Sequence, residues 1–213
     1  MFVLTLVAGT MLRSSRVRQR DASYQAYCAA RGYQYSASRP GAEQAYANIV
    51  GFFNVGFGRT WRCEISGMFN GKPFVAFEYG FGDRDRPLSN GPLIVHAIMK
   101  WEQHEKPLPE FSLLPASEYY ETASRYAATR VEFPDDPLFT ETYALLARDP
   151  EAVRAFITPE IRSALGPVLG PDPNQYVIGN AKTLFWYELG YLPAADQLDQ
   201  FIAVRDMLRA ALL

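Results

Sequence analysis

Histidine and cysteine are scarce in this chain, with two of each among 213 residues. His96 and His104 lie eight positions apart, and no third or fourth ligand follows at a recognisable spacing, so we expect no metal and no cofactor. Two cysteines are too few for a disulfide scaffold. We expect Cys28 and Cys63 to be small buried hydrophobic residues in a reducing compartment, although the sequence leaves a single bridge between them open.

Catalytic motifs are also lacking. Gly56-Phe57-Gly58 and Gly80-Phe81-Gly82 are not followed by a third glycine and a helix start, which a dinucleotide-binding fingerprint requires. Ser66 precedes Gly67 but has no glycine two residues before it, which excludes a nucleophile elbow. These absences favour a domain that binds a protein or small-molecule partner without catalysis.

An enzyme is the alternative function that the sequence leaves open. A hydrolase needs a general acid or base and a polar partner within hydrogen-bond reach of it. His96, His104 and carboxylates, either near them or scattered like Asp135, are the residues that could supply them. We expect His96 to be a sheet histidine instead, because it lies between Ile94 and Ile98.

Acidic residues are absent from the first twenty positions, where the ionised side chains are those of four arginines: Arg13, Arg16, Arg18 and Arg20. Without them, 17 of the 21 basic residues remain against 23 acidic ones, which leaves a net charge of −6 on the rest of the chain. A protein this acidic lacks the basic face that nucleic acid needs. The arginine cluster is suited to the anionic headgroups of membrane lipids.

The segment Met1–Leu12 carries no charge and precedes the arginines. As a helix it would be ~18 Å long, short of the ~30 Å hydrocarbon core. A signal peptide would have its positive charges before the apolar run. One alternative is that this segment forms a strand or helix in the core of the domain. We favour the C-terminal half of a membrane-spanning helix that starts upstream, with the arginines and the globular domain on the cytoplasmic side.

We therefore divide the chain into an anchor remnant with a basic juxtamembrane stretch over 1–20 and one globular domain over 21–213. Strands in hairpins, with helices between and after them, predict an α+β fold with an antiparallel sheet. The clearest hairpin runs from Trp61 to Phe81 and turns at Asn70-Gly71. Side-chain patterning favours a three-residue loop with a bulge at Gly71, which pairs Ile65 with Val75 and Trp61 with Tyr79.

Other elements follow from periodicity and caps. Leu93–Trp101 is predicted as a central strand because both of its faces are apolar. Phe52, Phe53, Phe57 and Trp61 are expected to be buried beneath the first hairpin rather than exposed as a partner surface. The remaining predicted helices are Ala22–Arg31, Ser117–Ala127 and those that begin at Asp149-Pro150, Thr158-Pro159 and Pro193; the remaining predicted strands are Tyr33–Tyr35, Phe111–Leu114, Val131–Phe133, Tyr143–Ala147, Tyr176–Ile178 and Lys182–Glu188.

Three stretches resemble a set of uncharacterised bacterial membrane-anchored proteins of unknown function. They are Gly67–Tyr79, Leu108–Pro115, and Val131–Phe133 continuing through Phe139 and Tyr143. Those proteins carry an N-terminal hydrophobic helix, a basic stretch, and a helix that ends in glycine before an aromatic strand. Arg13–Arg20, Ala29–Gly32 and Tyr33–Tyr35 fit that outline. The resemblance implies a membrane anchor and supplies no activity.

Overall fold

A computed structural model of the chain describes residues 2–46, 53, 57–82, 94–102, 107–118, 128–169 and 174–213. Its helices are α1 (Phe2–Arg31), α2 (Pro137–Thr142), α3 (Pro150–Phe156), α4 (Pro159–Leu169) and α5 (Leu198–Leu212). Its strands are β1 (Gln34–Ser38), β2 (Phe57–Phe69), β3 (Lys72–Gly82), β4 (Ile94–Glu102), β5 (Leu108–Pro115), β6 (Thr129–Val131), β7 (Tyr143–Ala147), β8 (Gln175–Ala181) and β9 (Thr183–Leu189).

The strands of the described part form one nine-stranded sheet in the order β1-β2-β3-β4-β9-β8-β5-β7-β6. Every neighbouring pair is antiparallel. The predicted α+β fold is therefore confirmed. The predicted central strand is confirmed as well, because β4 lies between β3 and β9 and its residues from Ala97 to Trp101 are buried.

The helices cover one face of the sheet. Tyr24 and Cys28 of α1, Leu165 of α4 and Ile202 of α5 belong to the same buried cluster as Trp186 of β9. Burying side chains of this size contributes ~1.5–3 kcal/mol each. Because α1 and α5 are far apart in sequence, this layer joins the two ends of the chain.

The opposite face carries an aromatic cluster. Phe53 is fully buried against Trp61, Phe77, Tyr79 and Phe185. The rings of Trp61 and Phe77 stack with their centroids 3.5 Å apart and their planes 8° apart. The predicted burial is confirmed for Phe53 and Trp61.

For the other two aromatic residues of that prediction, Phe52 and the side chain of Phe57 lie outside the described part. Cys28 and Cys63 are buried and unbridged, as expected.

The turn of the first hairpin differs from the prediction. Phe69 pairs with Lys72, so Asn70 and Gly71 form a two-residue turn with φ of 48° and 72°. Two positive φ angles define the type I′ turn, whose twist matches that of the flanking strands. The predicted three-residue loop is therefore wrong, and Ile65 pairs with Ala76 rather than Val75.

A β-bulge explains why the pairing farther along the hairpin is nevertheless the predicted one. The register shifts by one residue between Arg62 and Ile65, where Cys63 has a φ of 53°. Beyond the bulge, Trp61 pairs with Tyr79 as predicted. The extra residue lets Trp61 join the aromatic face while Cys63 and Ile65 face the helices.

The second hairpin also turns at a different place. Asn180 pairs with Thr183, so the turn lies at Ala181-Lys182 and not at the predicted Gly179-Asn180. A Cβ atom on Gly179 would lie 2.2 Å from Cε1 of Phe111. Gly179 is therefore in the strand because the Phe111 ring lies on it, not because the chain turns there.

Helix boundaries differ at several points. α1 begins at Phe2 rather than Ala22, and a 3₁₀ turn over Ala195–Gln197 delays the last helix from Pro193 to Leu198. Of the helix predicted over Ser117–Ala127, the structure shows a 3₁₀ turn over Ala116–Glu118, and 119–127 lie outside the described residues.

The start of α3 is as predicted. Asp149 caps it by accepting a hydrogen bond from the Ala152 N–H at 3.1 Å.

Replacing Gly71 with alanine should lower the free energy of unfolding by ~1–2 kcal/mol, because a Cβ atom is strained at a φ of 72°. Urea titration measures the effect. Gly71→Asn is the matched control, since asparagine adopts this conformation more readily. Equal stability of Gly71→Ala and wild type would contradict the type I′ turn.

Candidate functional site

A cleft of about 510 Å³ lies between α1 and the sheet. It is lined by residues from α1, β2, β3, β4 and the segment after β9: Arg16, Val17, Arg20, Thr60, Arg62, Glu78, Gly80, Val95 and Tyr191. The volume is within the range of ~300–1,000 Å³ that is typical of small-ligand pockets.

An ion pair between the half-buried Arg20 and the buried Glu78 forms the floor of this cleft. Arg20 donates from Nη1 to Oε1 of Glu78 at 3.1 Å and from Nη2 to Oε2 at 2.9 Å. The Glu78 side chain is 3% exposed, and its Oε1 also accepts the Leu192 N–H at 3.1 Å. This bidentate geometry is the strong form of the arginine–carboxylate pair. Arg20 is therefore engaged in holding α1 on the sheet.

Two further arginines line the cleft without such a partner. Arg16 lies four residues before Arg20 in α1, so the two share a helix face. Arg62 is half-buried on β2. The side chains of Arg16 and Arg62 form no ion pair or hydrogen bond with the residues that the structure describes. Against three arginines the described lining offers one carboxylate, and the cleft is positively charged.

The bulge in β2 gives the cleft its composition. Trp61 belongs to the aromatic face, whereas Arg62 lines the cleft and Cys63 contacts Arg20, with Sγ 3.1 Å from Nη2. Burial, reinforced by Glu78, raises the pKa of Cys63 to about 11. The thiol is therefore protonated at neutral pH and is not a nucleophile.

The outer rim of the cleft carries an exposed aromatic ring. Tyr191 is 60% exposed, with its ring centroid 5.6 Å from the Arg20 guanidinium. Tyr24 of α1 donates its hydroxyl to the carbonyl oxygens of Leu192 at 3.2 Å and Pro193 at 2.9 Å. The segment that carries Tyr191 is thus fixed to α1.

The structure brings together part of the predicted arginine cluster. Arg16 and Arg20 line the cleft, Arg18 is exposed outside its lining, and the side chain of Arg13 lies outside the described part. Within the described residues no helix is both long and apolar enough to cross a bilayer.

His96 faces away from the cleft. Its ring lies 6.0 Å from that of Phe81 and 5.6 Å from that of Tyr187 on the aromatic side, while the adjacent Val95 lines the cleft. Burial lowers the pKa of His96 to about 4, although a hydrogen bond to the Glu188 backbone opposes the shift. His96 is neutral at physiological pH.

Asp135 takes part in a structural network around Arg162, whose side chain is 4% exposed. Arg162 donates to Asp135 at 2.5 Å, to Asp136 at 3.0 Å and to the Ile157 carbonyl at 3.2 Å. Asp136 also caps α2 by accepting the Phe139 N–H at 3.1 Å. These carboxylates fix the loop after β6 to α4.

The residues of the enzyme alternative are therefore not brought together where they are described. Four strands separate β4, which carries His96, from β6, which precedes Asp135, a distance of ~24 Å at ~4.8 Å per strand. His104 lies outside the described residues. Among those that are described, no three His, Cys, Asp or Glu side chains are grouped as metal ligands.

Sequence reasoning did not identify Arg62, Glu78 and Tyr191 as site residues. Glu78 offered a signal, because it shares a strand face with Phe74 and Ala76 while the other face is also apolar, so its carboxylate is expected to be buried and to need a cation. Tyr191 and Arg62 offered none, since their position depends on the bulge and on the fold.

No protein-family profile matches the chain, and no curated protein matches it. Among solved structures, the crystal structure of the mycobacterial trehalose monomycolate transport factor A, TtfA, is similar with a TM-score of 0.61. The match covers 92% of this chain and 95% of that chain at 8% sequence identity. The TM-score shows a shared fold, and at this low identity the similarity shows the fold alone.

Replacing Arg20 with glutamine should lower the free energy of unfolding by ~3 kcal/mol, because the buried Glu78 carboxylate loses its counter-charge. Glu78→Gln in the same background should restore part of that stability, so the two substitutions are expected to be non-additive. Urea titration of the two single variants and the double variant measures the coupling. Additive effects would contradict the ion pair.

Stability should fall as pH decreases from about 6.5 towards 4, by ~3 kcal/mol in total from His96. In this window the unfolded histidine binds a proton and the folded one does not, and above it the contribution is fully present. His96→Phe should lack this component, which the difference between its pH profile and that of wild type isolates. Parallel profiles from pH 7 to 4 would contradict the burial of His96.

Proposed function

We propose that this chain is a membrane-tethered, non-catalytic accessory domain that binds a partner or ligand beside the cytoplasmic membrane surface. The observation that carries the proposal is that α1 is uninterrupted from Phe2 to Arg31. The apolar start and the half of the helix that packs in the core are thus one rigid element. Arg16 follows Leu12 by ~6 Å along the helix axis, and Arg20 follows it by ~12 Å.

The attachment of α1 to the domain supports a tether of fixed geometry. Tyr24 is fully buried, and Tyr27 donates its hydroxyl to Asp199 of α5 at 2.9 Å. Arg31, in the last turn, forms an ion pair with the same Asp199. Together with the Arg20–Glu78 ion pair, these contacts hold both ends of the part of α1 that packs against the domain.

The charge distribution supports a cytoplasmic orientation. Four arginines directly after an apolar segment follow the positive-inside rule, and they attract the anionic headgroups of the cytoplasmic leaflet. The resemblance to membrane-anchored bacterial proteins supports the same location.

The chemistry of the described residues supports binding rather than catalysis. Cys63 is buried, His96 is half-buried, both are neutral, and Asp135 pairs with Arg162. The similarity in fold to TtfA supports an accessory role as well, since that protein is named as a transport factor.

Cell fractionation tests the tether. The protein expressed from the full gene with its native start should sediment with membranes and resist extraction by salt. Replacing Leu4 and Leu6 with aspartate should move it to the soluble fraction, because charged groups disfavour insertion.

Met207→Asp is the matched control for this experiment, since it adds a charge at an exposed position of α5 and should leave the distribution unchanged. A fully soluble wild-type protein would overturn the proposed function.

A further inference from the structure

Within the described residues, the arginines of the cleft outnumber its carboxylates, and this charge points to an anionic ligand. Arg16 and Arg62 come from different elements, α1 and β2, and line the same space. They do so in a chain whose remainder beyond the first twenty residues carries a net charge of −6. Converging two arginines costs electrostatic free energy, which a bound anion offsets.

We propose that this cleft binds a phosphate group through Arg16 and Arg62, and that the phosphate belongs to an anionic lipid headgroup. A guanidinium matches phosphate oxygens with two parallel N–H donors, which makes arginine the preferred residue for this ligand. Arg20 is a positioning residue, because its Nη atoms are committed to Glu78.

The depth of the cleft selects the lipid as the source of the phosphate, a step that rests on the proposed function. Each headgroup layer is ~5–8 Å thick beyond the hydrocarbon core. Arg16 lies ~6 Å past the last residue of the apolar segment, Leu12, and is therefore at headgroup depth when that segment is inserted.

The rim supports the same depth. The Tyr191 ring is 60% exposed and lies beside the Arg20 guanidinium. Tyrosine is enriched at membrane–water interfaces, where its ring contacts apolar chains and its hydroxyl contacts water. An exposed tyrosine beside arginines suits a lipid surface better than a site for a free ion.

Arg62 provides the decisive variant, because it lies outside the juxtamembrane cluster. Co-sedimentation with phosphatidylcholine vesicles containing phosphatidylglycerol should show Arg62→Gln binding ~5-fold more weakly than wild type, the factor that one basic residue at an anionic surface contributes. Arg16→Gln should have a similar effect. Vesicles of pure phosphatidylcholine are the reference.

Arg148→Gln is the matched control. It removes the same charge from an exposed residue directly after β7, six strand positions or ~29 Å from β2, which exceeds the Debye length of ~8–10 Å. Its vesicle affinity should remain within about twofold of wild type. Thermal unfolding checks that each variant is folded; Arg62→Lys, which keeps the charge but loses the paired donors, serves if Arg62→Gln is unstable.

Inorganic phosphate and glycerol phosphate distinguish the two sources. An Arg62-dependent loss of binding to phosphatidylglycerol vesicles supports the lipid site. Arg62-dependent thermal stabilisation by the soluble phosphates, with vesicle binding unaffected by Arg62→Gln, overturns the lipid source and keeps the phosphate site. Equal effects of the Arg62, Arg16 and Arg148 substitutions in both assays overturn the cleft.

These outcomes separate the two proposals. A protein that sediments with cell membranes but shows no Arg62 dependence retains the proposed function and loses the cleft. A protein that is soluble in cells but binds soluble phosphate through Arg62 retains the phosphate site and loses the membrane role.

Discussion

The ion pair between Arg20 and Glu78 is the constraint on which the arrangement of the two ends of the chain depends. A carboxylate buried in β3 costs several kcal/mol unless a cation and hydrogen-bond donors satisfy it. Arg20 from α1 and the Leu192 N–H supply both. One carboxylate in the sheet thereby fixes the N-terminal helix and the segment after β9 against each other, and the cleft is the space between them.

The β-bulge at Cys63 is the second condition for that cleft. In a regular strand, residues two apart share a face, so Trp61, Cys63 and Ile65 would all lie on one side. The bulge sends Trp61 to the aromatic cluster and keeps Ile65 beneath the helices. Arg62 reaches the cleft because of this irregularity. Bulges are common beside functional sites, where they redirect single side chains.

The sequence predicted the fold where many residues carry one signal. The apolar residues on both faces of β4 and the Asp149-Pro150-Glu151 start of α3 are of this kind. The prediction from sequence failed where a single residue determines the position of a turn or a bulge. Patterning required an extra residue in the first hairpin but could not locate it, and Gly179 looked like a turn although it accommodates the Phe111 ring. The cleft combines Arg16, Arg62 and Tyr191, whose separation in sequence leaves no local spacing to recognise.

Screening determines which charges act at a membrane. The acidic remainder of the chain would be repelled by anionic lipids if all of its charges acted at full strength. At physiological ionic strength the interaction decays over ~8–10 Å, so charges deeper in the domain contribute little. Arg16 lies within that distance of the apolar segment, and Arg62 shares its cleft. On the proposed tether, a net negative protein would therefore meet an anionic surface through a positive face, and α1 would determine which face that is.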